Sequence, residues 1–194
     1  MDIEAMEERT SARRYVFRAF QRLFGDAPNT GLFAALDFDV LRMAFEVVEA
    51  DSEAQGMIDA LQSLIPSSEE ELDRLKDEYS LLFVGPASLP APLWESMYVG
   101  KKHLLMTEIT LTVREFYASC GYAAEGCHRV PDDHIAIELD FLASLADNAL
   151  QALSTGDKAK AEAILNLGTQ FIRTHLGLWV EQFAAKMEDR KSVV

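Results

Sequence analysis

The chain has 194 residues, of which 49% are hydrophobic and 26% charged, with 10 glycines and 6 prolines. This composition indicates a folded globular protein with a sizeable core rather than a disordered chain. A formal net charge of −14 argues against a nucleic-acid-binding face and against anionic membranes, and no run of about 18 apolar residues predicts a membrane span.

Helical periodicity runs through the first part of the chain. The spacing of apolar residues predicts helices over about residues 5–24, 36–50 and 52–64. A fourth helix is predicted to begin after Ser68, which can cap it, while Glu71 three residues later completes a capping box. The acidic first turn of this helix suits the positive end of the helix dipole.

The segment from Glu78 to Tyr98 interrupts this pattern. It reads EYSLLFVGPASLPAPLWESMY, in which an apolar helix end meets three prolines and a tryptophan. Proline fixes its own backbone and pushes the preceding residue toward extended geometry. We therefore predict a stiff apolar connector of about ten residues between two helices, and such connectors are typical of pocket walls.

The rest of the chain again favours helices. Apolar and polar residues also alternate over 107–113 as they do in a strand, so a strand is an open alternative there. With no other strand, no repeat and no flexible linker, we predict an all-α single-domain helical bundle of about eight or more helices over residues 1–194. The predicted helices of this part cover about residues 95–121, 131–153 and 157–188, the last with a break near His175–Gly177.

A group of ionisable side chains lies at the predicted start of the helix that opens at Pro131. His134 and Glu138 are four residues apart and share a helix face, with Asp133 beside them. They could bind a metal or perform acid–base chemistry, or they could simply stabilise the helix. The cysteines and histidine of the Cys120–His128 stretch match no zinc spacing, and we predict no metal, no cofactor and no catalytic residue.

The acidic block from Glu69 to Glu78 holds six carboxylates. It is either a solvated helix face or a landing area for arginines, which carboxylates bind in charge-assisted pairs. The net charge is open to the same two interpretations, solubility or the attraction of basic partners. No phosphate-binding glycine motif and no nucleophile constellation occurs in the sequence.

Three segments of the chain resemble the TorD/DmsD-type chaperones, which are cytoplasmic helical proteins that assist maturation of twin-arginine-exported molybdenum enzymes. Their order along the chain is that of the family. Pro92-Leu93 departs from the paired prolines usual in the family, and Ala87-Ser88 from the aromatic of some members. The three segments are EYSLLFVGPASLPAPLWESMY, PDDHIAIELDFL at 131–142, and His175-Leu176 with Trp179 and Phe183.

The resemblance implies a binding chaperone. We expect it to recognise the twin-arginine signal peptide of a molybdenum-cofactor oxidoreductase, with the apo subunit as an additional target. It would hold this precursor until the cofactor is inserted and the enzyme has folded, and export would follow. An apolar groove bordered by carboxylates suits such a peptide. The family motif implies Asp133 and His134 as site residues, and Glu78 is a further candidate for binding the basic part of the signal peptide. The expected peptide-binding residues are Tyr79, Leu82, Phe83, Pro92, Trp94, Asp133, His134 and Glu138.

Two other functional classes stay open. One is a small helical metal-dependent enzyme that uses Asp133, His134 and Glu138, and the other is an assembly adaptor for a reductase subunit that is not exported. The acidic N-terminal residues are unlike the basic start of a signal peptide, so we expect a cytoplasmic protein that binds no nucleic acid and does not insert stably into membranes. The resemblance also implies a monomer or a domain-swapped dimer, with the connector as hinge.

Overall fold

The computed structural model describes residues 2–49, 52–85, 89–100, 104–123 and 130–191. These residues form nine α-helices and no strand, so the predicted all-α fold is confirmed. A π-helical turn over Ser80–Val84 continues the fifth helix, and 3-10 turns cover Glu95–Met97 and Leu176–Leu178. The helices are α1 (Ile3–Gly25), α2 (Thr30–Ala34), α3 (Phe38–Val47), α4 (Ser52–Ser63), α5 (Glu69–Tyr79), α6 (Glu108–Ser119), α7 (Ile135–Ser154), α8 (Lys158–Thr174) and α9 (Val180–Lys191).

Helix α7 is the central element of the fold. Twelve of its residues are buried, which is more than the single apolar stripe of a surface helix. Helices α1 and α8 both pack against it. Arg18 of α1 binds Asp140 and Asp147 of α7, and Arg14 adds a 3.0 Å contact to Asp147. These ion pairs hold α1 along the outer side of α7.

The main hydrophobic core is built largely from aromatic side chains. It joins the connector segment to α6, α7, α8 and α9, which places residues far apart in sequence around one centre. None of the described helices combines the length and apolar character that crossing a membrane would require. The core includes Phe83, Leu93, Tyr98, Val113, Phe141, Phe171, Trp179 and Phe183.

Side-chain caps decide where several helices begin. The Ser68 hydroxyl accepts a hydrogen bond from Glu71 N at 3.2 Å, so the predicted cap of α5 is confirmed. The Glu71 carboxylate accepts from Ser67 N and from the Ser67 hydroxyl instead of Ser68 N, and these bonds lower the Glu71 pKa. The capping box is therefore displaced by one residue.

Asp37 lies between the short helix α2 and helix α3. Its carboxylate accepts from Asp39 N and Val40 N, at 3.1 and 3.0 Å, and starts α3. The predicted helix over 36–50 therefore begins too early, and the short α2, capped by Asn29, was not predicted. A second hydrophobic cluster under α1, α3 and α4 includes Phe38 and Phe45.

Loss of this cap should cost measurable stability. We expect Asp37→Ala to lower the free energy of unfolding by about 1 kcal/mol, the typical effect of removing an N-cap acceptor. Asp37→Asn keeps an acceptor oxygen in place and should stay within a few tenths of a kcal/mol of wild type. Urea denaturation of the three proteins measures this, and equal midpoints for wild type and the alanine variant would contradict it.

The helix predicted over about 95–121 is wrong in its first half. Among the residues described in that half, only the short turn Glu95–Met97 is helical, and α6 begins at Glu108, where the Thr107 hydroxyl accepts from Ile109 N. Met106 has a left-handed φ of 56°, which an α-helix does not allow. Because α6 is helical from Glu108, the strand considered over 107–113 is also wrong. The break near His175 is confirmed, since α8 ends at Thr174.

Candidate functional site

The connector and the start of α7 are joined by backbone hydrogen bonds. Trp94 and His134 form an isolated antiparallel bridge, in which Ile135 N donates to Leu93 O at 2.9 Å and Glu95 N donates to Asp133 O at 3.0 Å. Two segments about 40 residues apart in sequence therefore form one unit. His134 is the N-cap of α7, so the helix begins at Ile135 instead of Pro131 as predicted.

The predicted apolar residues of the connector come together, but mostly as part of the core. Phe83 is buried, with its ring centroid 4.9 Å from that of Tyr79 and 6.2 Å from that of Phe183. Pro92 is also buried, and its carbonyl accepts from the Tyr98 hydroxyl at 2.8 Å. The half-buried residues at the edge of this packing are Tyr79, Leu82 and Trp94.

A polar cluster lies beneath the connector. Glu95 is 1% exposed, and its carboxylate oxygens lie 3.1 and 3.3 Å from His175 Nδ1. Asp133 is fully buried, with one carboxylate oxygen accepting from Ser96 N at 2.9 Å and the other without a partner in the described ranges. The cluster thus ties the connector both to α7 and to the junction between α8 and α9.

Glu138 is the least compensated member of this polar cluster. It is fully buried, and neither carboxylate oxygen has a hydrogen-bond partner among the described residues. Burial, together with the charges of Glu95 and Asp133, raises its pKa well above the ordinary value. Burial also raises the pKa of Glu95. A buried carboxylate without a partner is far cheaper in its protonated form, so the surroundings of Glu138 favour the protonated carboxyl.

His134 caps helix α7 and contacts the connector. Its Nδ1 accepts from Ala136 N at 3.1 Å, and its ring meets the Trp94 ring edge-on at a centroid distance of 5.2 Å. Burial lowers its pKa to about 4, and a protonated Nδ1 could not accept that bond. At neutral pH His134 is therefore an uncharged cap and aromatic contact.

Two members of the cluster were not predicted as site residues. The sequence pattern placed Glu95 only at a helix start, and His175 only in a C-terminal motif. Two signals could have found them. Glu95 is an isolated acid in an apolar connector, and His175 is a histidine at a helix break. Asp132, the neighbour of Asp133, is a structural anchor, because Arg114 Nε donates to it at 2.8 Å.

Metal binding finds no support in this geometry. Among the residues that the structure describes, no three His, Cys, Asp or Glu side chains are arranged to hold a metal ion. Asp133 and Glu138 are 0% exposed and His134 is 8% exposed, so the predicted acidic wall does not reach the surface. Cys127 and His128, which the sequence grouped loosely with Cys120, lie outside the described residues.

Comparison with known proteins gives a consistent group of relatives. Residues 48–185 match the family described as nitrate reductase delta subunit. The chain is 27% identical over 113 residues to a probable Tat proofreading chaperone DmsD of Haemophilus influenzae, covering 58% of this chain and 48% of that protein. It is 30% identical over 134 residues to the chaperone protein TorD of Vibrio atlanticus, covering 69% and 60% respectively.

A third relative, the Tat proofreading chaperone DmsD of Salmonella typhi, is 32% identical over 105 residues, which is 50% of each chain. The matched part of the chain thus spans between 48% and 60% of the length of these curated relatives. The family match includes both the connector and the start of α7. All three relatives are named as chaperones.

Proposed function

This chain belongs to the nitrate reductase delta subunit family, as the match over residues 48–185 shows, and on that premise we propose that it is a chaperone for a molybdenum-cofactor oxidoreductase. It binds the twin-arginine signal peptide of the precursor, and holds the precursor until cofactor insertion and folding are complete. It acts as one cytoplasmic domain over residues 1–194, by binding rather than by catalysis. The relatives named as Tat proofreading chaperones support this proposal.

One observation carries the site assignment. The two segments that resemble the chaperone signatures are physically one unit, joined through the Trp94–His134 bridge and the bond from Ser96 N to Asp133. Tyr79, Leu82 and Trp94 present part of their surface at the edge of this unit. Apolar side chains at the edge of a packed groove are the usual receptors for an apolar peptide segment.

Peptide binding at this site requires the connector to move. Phe83, Pro92, Asp133 and Glu138 are buried in the structure, so a peptide can contact them only after the connector separates from α7. This separation breaks the Trp94–His134 bridge and the bond from Ser96 N to Asp133, and such local opening costs less than global unfolding. The same segment would be the hinge if helices were exchanged between two copies.

Titration calorimetry with a synthetic twin-arginine peptide tests the proposal. We expect wild type to bind, and Leu82→Ala to weaken binding about tenfold, because truncating a central apolar contact typically costs more than 1 kcal/mol. Leu178→Ala, at a 47% exposed side chain, is the matched control and should bind as wild type does. Thermal unfolding of each variant verifies that the fold is retained.

The proposal fails if no signal peptide of a molybdenum enzyme binds to the wild-type protein. Capture of a reductase subunit that lacks a signal peptide, from cells grown anaerobically, would instead support the assembly adaptor. Light scattering of the complex gives its mass and so distinguishes a monomeric from a dimeric binding form.

A further inference from the structure

A row of exposed side chains runs along α5 and into the π-helical turn that follows it. Glu70, Asp73, Asp77 and Leu81 recur at spacings of three and four residues, which places them on one helix face. Leu81 is 56% exposed, and Val84, three residues further on, is 63% exposed. The row thus changes from acidic to apolar over about 20 Å of helix.

The apolar end of this row lies on a tight turn of the backbone. Leu81 and Val84 lie in a π-helical turn, closed by a bond from Gly85 N to Ser80 O at 2.7 Å, and such turns occur often at functional sites. The inward side of the same turn carries Phe83 into the main core. One short turn therefore fixes the position of both the buried and the exposed apolar side chains.

The acidic end is largely uncompensated. Asp73 has an ion pair with Lys76 at 3.0 Å, whereas Glu70 and Asp77 have no ion pair or hydrogen bond to any other residue that the structure describes. Exposed carboxylates that are not engaged can accept guanidinium groups in bidentate pairs. Asp133 and Glu138 cannot do this in the closed structure, because both are fully buried.

We propose that this face of α5, together with Leu81 and Val84, is the docking surface for a peptide segment in which arginines precede an apolar run. The inference rests on the proposed function and adds a location for the basic part of the peptide. Its arginines pair with Glu70, Asp73 and Asp77, and its apolar run crosses the π-helical turn toward the half-buried Leu82. Charge complementarity and the acidic-to-apolar order favour this occupant over a second copy of the chain.

Two matched triple variants test the acidic half of the surface. Glu70→Gln/Asp73→Asn/Asp77→Asn removes three charges from α5. The control, Glu8→Gln/Glu162→Gln/Glu181→Gln, removes three from exposed positions on α1, α8 and α9. Glu162 pairs with Lys158 much as Asp73 pairs with Lys76, so the control matches the variant in lost ion pairs as well as in net charge.

The probe is a synthetic peptide with two adjacent arginines followed by ten apolar residues, titrated calorimetrically at low salt. We expect the α5 triple variant to bind it about tenfold more weakly, as the loss of the exposed ion pairs made by its two arginines implies, and the control to bind as wild type does. A peptide with glutamines in place of both arginines should not distinguish wild type from the α5 variant. Leu81→Ser/Val84→Ser should weaken both peptides about equally.

The outcomes separate this surface from the proposed function. If wild type binds the peptide and the α5 triple variant binds it equally well, the surface is wrong and the proposed function stands. The surface is also wrong if the control loses as much affinity as the α5 variant. If the α5 variant changes only the mass seen by light scattering, the face belongs to contacts between copies. If wild type binds no peptide, both proposals fail.

Discussion

Glu138→Gln should raise the free energy of unfolding at alkaline pH and reduce its dependence on pH. In wild type the Glu138 carboxylate is fully buried between Glu95 and Asp133, and neither oxygen has a partner in the described part of the chain. Glutamine has nearly the same shape but never needs a proton to be neutral. The variant therefore avoids both the cost of burying a charge and the cost of keeping the carboxyl protonated.

The sign of the effect follows from the raised pKa of Glu138 in the folded state. Below the ordinary value of 4.5 the carboxyl is protonated in both folded and unfolded chains and contributes no slope. Above it, the unfolded chain releases the proton that the folded chain keeps, so stability falls with rising pH by about 1.4 kcal/mol per unit. The loss stops once pH exceeds the folded-state pKa.

Urea denaturation at pH 5.5, 7.0 and 8.5 measures this slope. We expect the wild-type stability to decline across the series and the Glu138→Gln decline to be smaller by up to about 1.4 kcal/mol per pH unit. A residual slope should remain, since burial also raises the pKa of Glu95. Glu162→Gln, at an exposed position on α8, should follow wild type. Parallel curves for wild type and Glu138→Gln would show that Glu138 is ionised in the fold.

Trp179→Ala should destabilise the protein by about 3–5 kcal/mol, the usual cost of removing a large buried aromatic side chain. Trp179 is 1% exposed and its ring lies 5.2 Å from that of Tyr98 and 5.6 Å from that of Phe183. Truncation leaves a cavity where the end of the connector meets the α8–α9 junction. Trp179→Phe retains one ring and should lose distinctly less stability.

The neighbouring residue provides the control for Trp179. Leu178 is 47% exposed, and Leu178→Ala should change the free energy of unfolding by no more than about 0.5 kcal/mol. Urea denaturation compares the two truncations, and hydrogen exchange should show faster exchange at Ser96 N in Trp179→Ala because the connector loses its support. Similar losses for both truncations would contradict the packing described for Trp179.

Local signals in the sequence were enough for much of the fold. Ser68 caps α5 and helix α8 ends at Thr174, as the pattern predicted. Both features depend on residues within one turn of the helix end. The stretch after Trp94 was mispredicted as helix because its conformation depends on distant partners. Glu95 meets His175, 80 residues away, and Ser96 N is bound by Asp133, 37 residues away, and neither bond has a local signature.

The candidate site was only partly predictable for a similar reason. The resemblance pointed to Trp94, Asp133 and His134, which meet in the structure, while their role in peptide binding stays a prediction. Burial of Asp133 and Glu138 could not be inferred, since carboxylates are almost never fully buried without a partner. The residue types pointed to exposed carboxylates at the start of α7, whereas the exposed carboxylates that precede the connector lie on α5.

The contact between Ser96 and Asp133 has a consequence for how the chain folds. The two residues are 37 positions apart, so the polypeptide between them, including α6, starts and ends at this contact. Closing such a loop has an entropic cost that rises only slowly with its length. Homologous chains could therefore differ in the length of the segment between Ser96 and Asp133 with little effect on the contact itself. In refolding, the contact between Ser96 and Asp133 should form after the more local pairing of α7 with α8, so the unit made by the connector and the start of α7 would mature late.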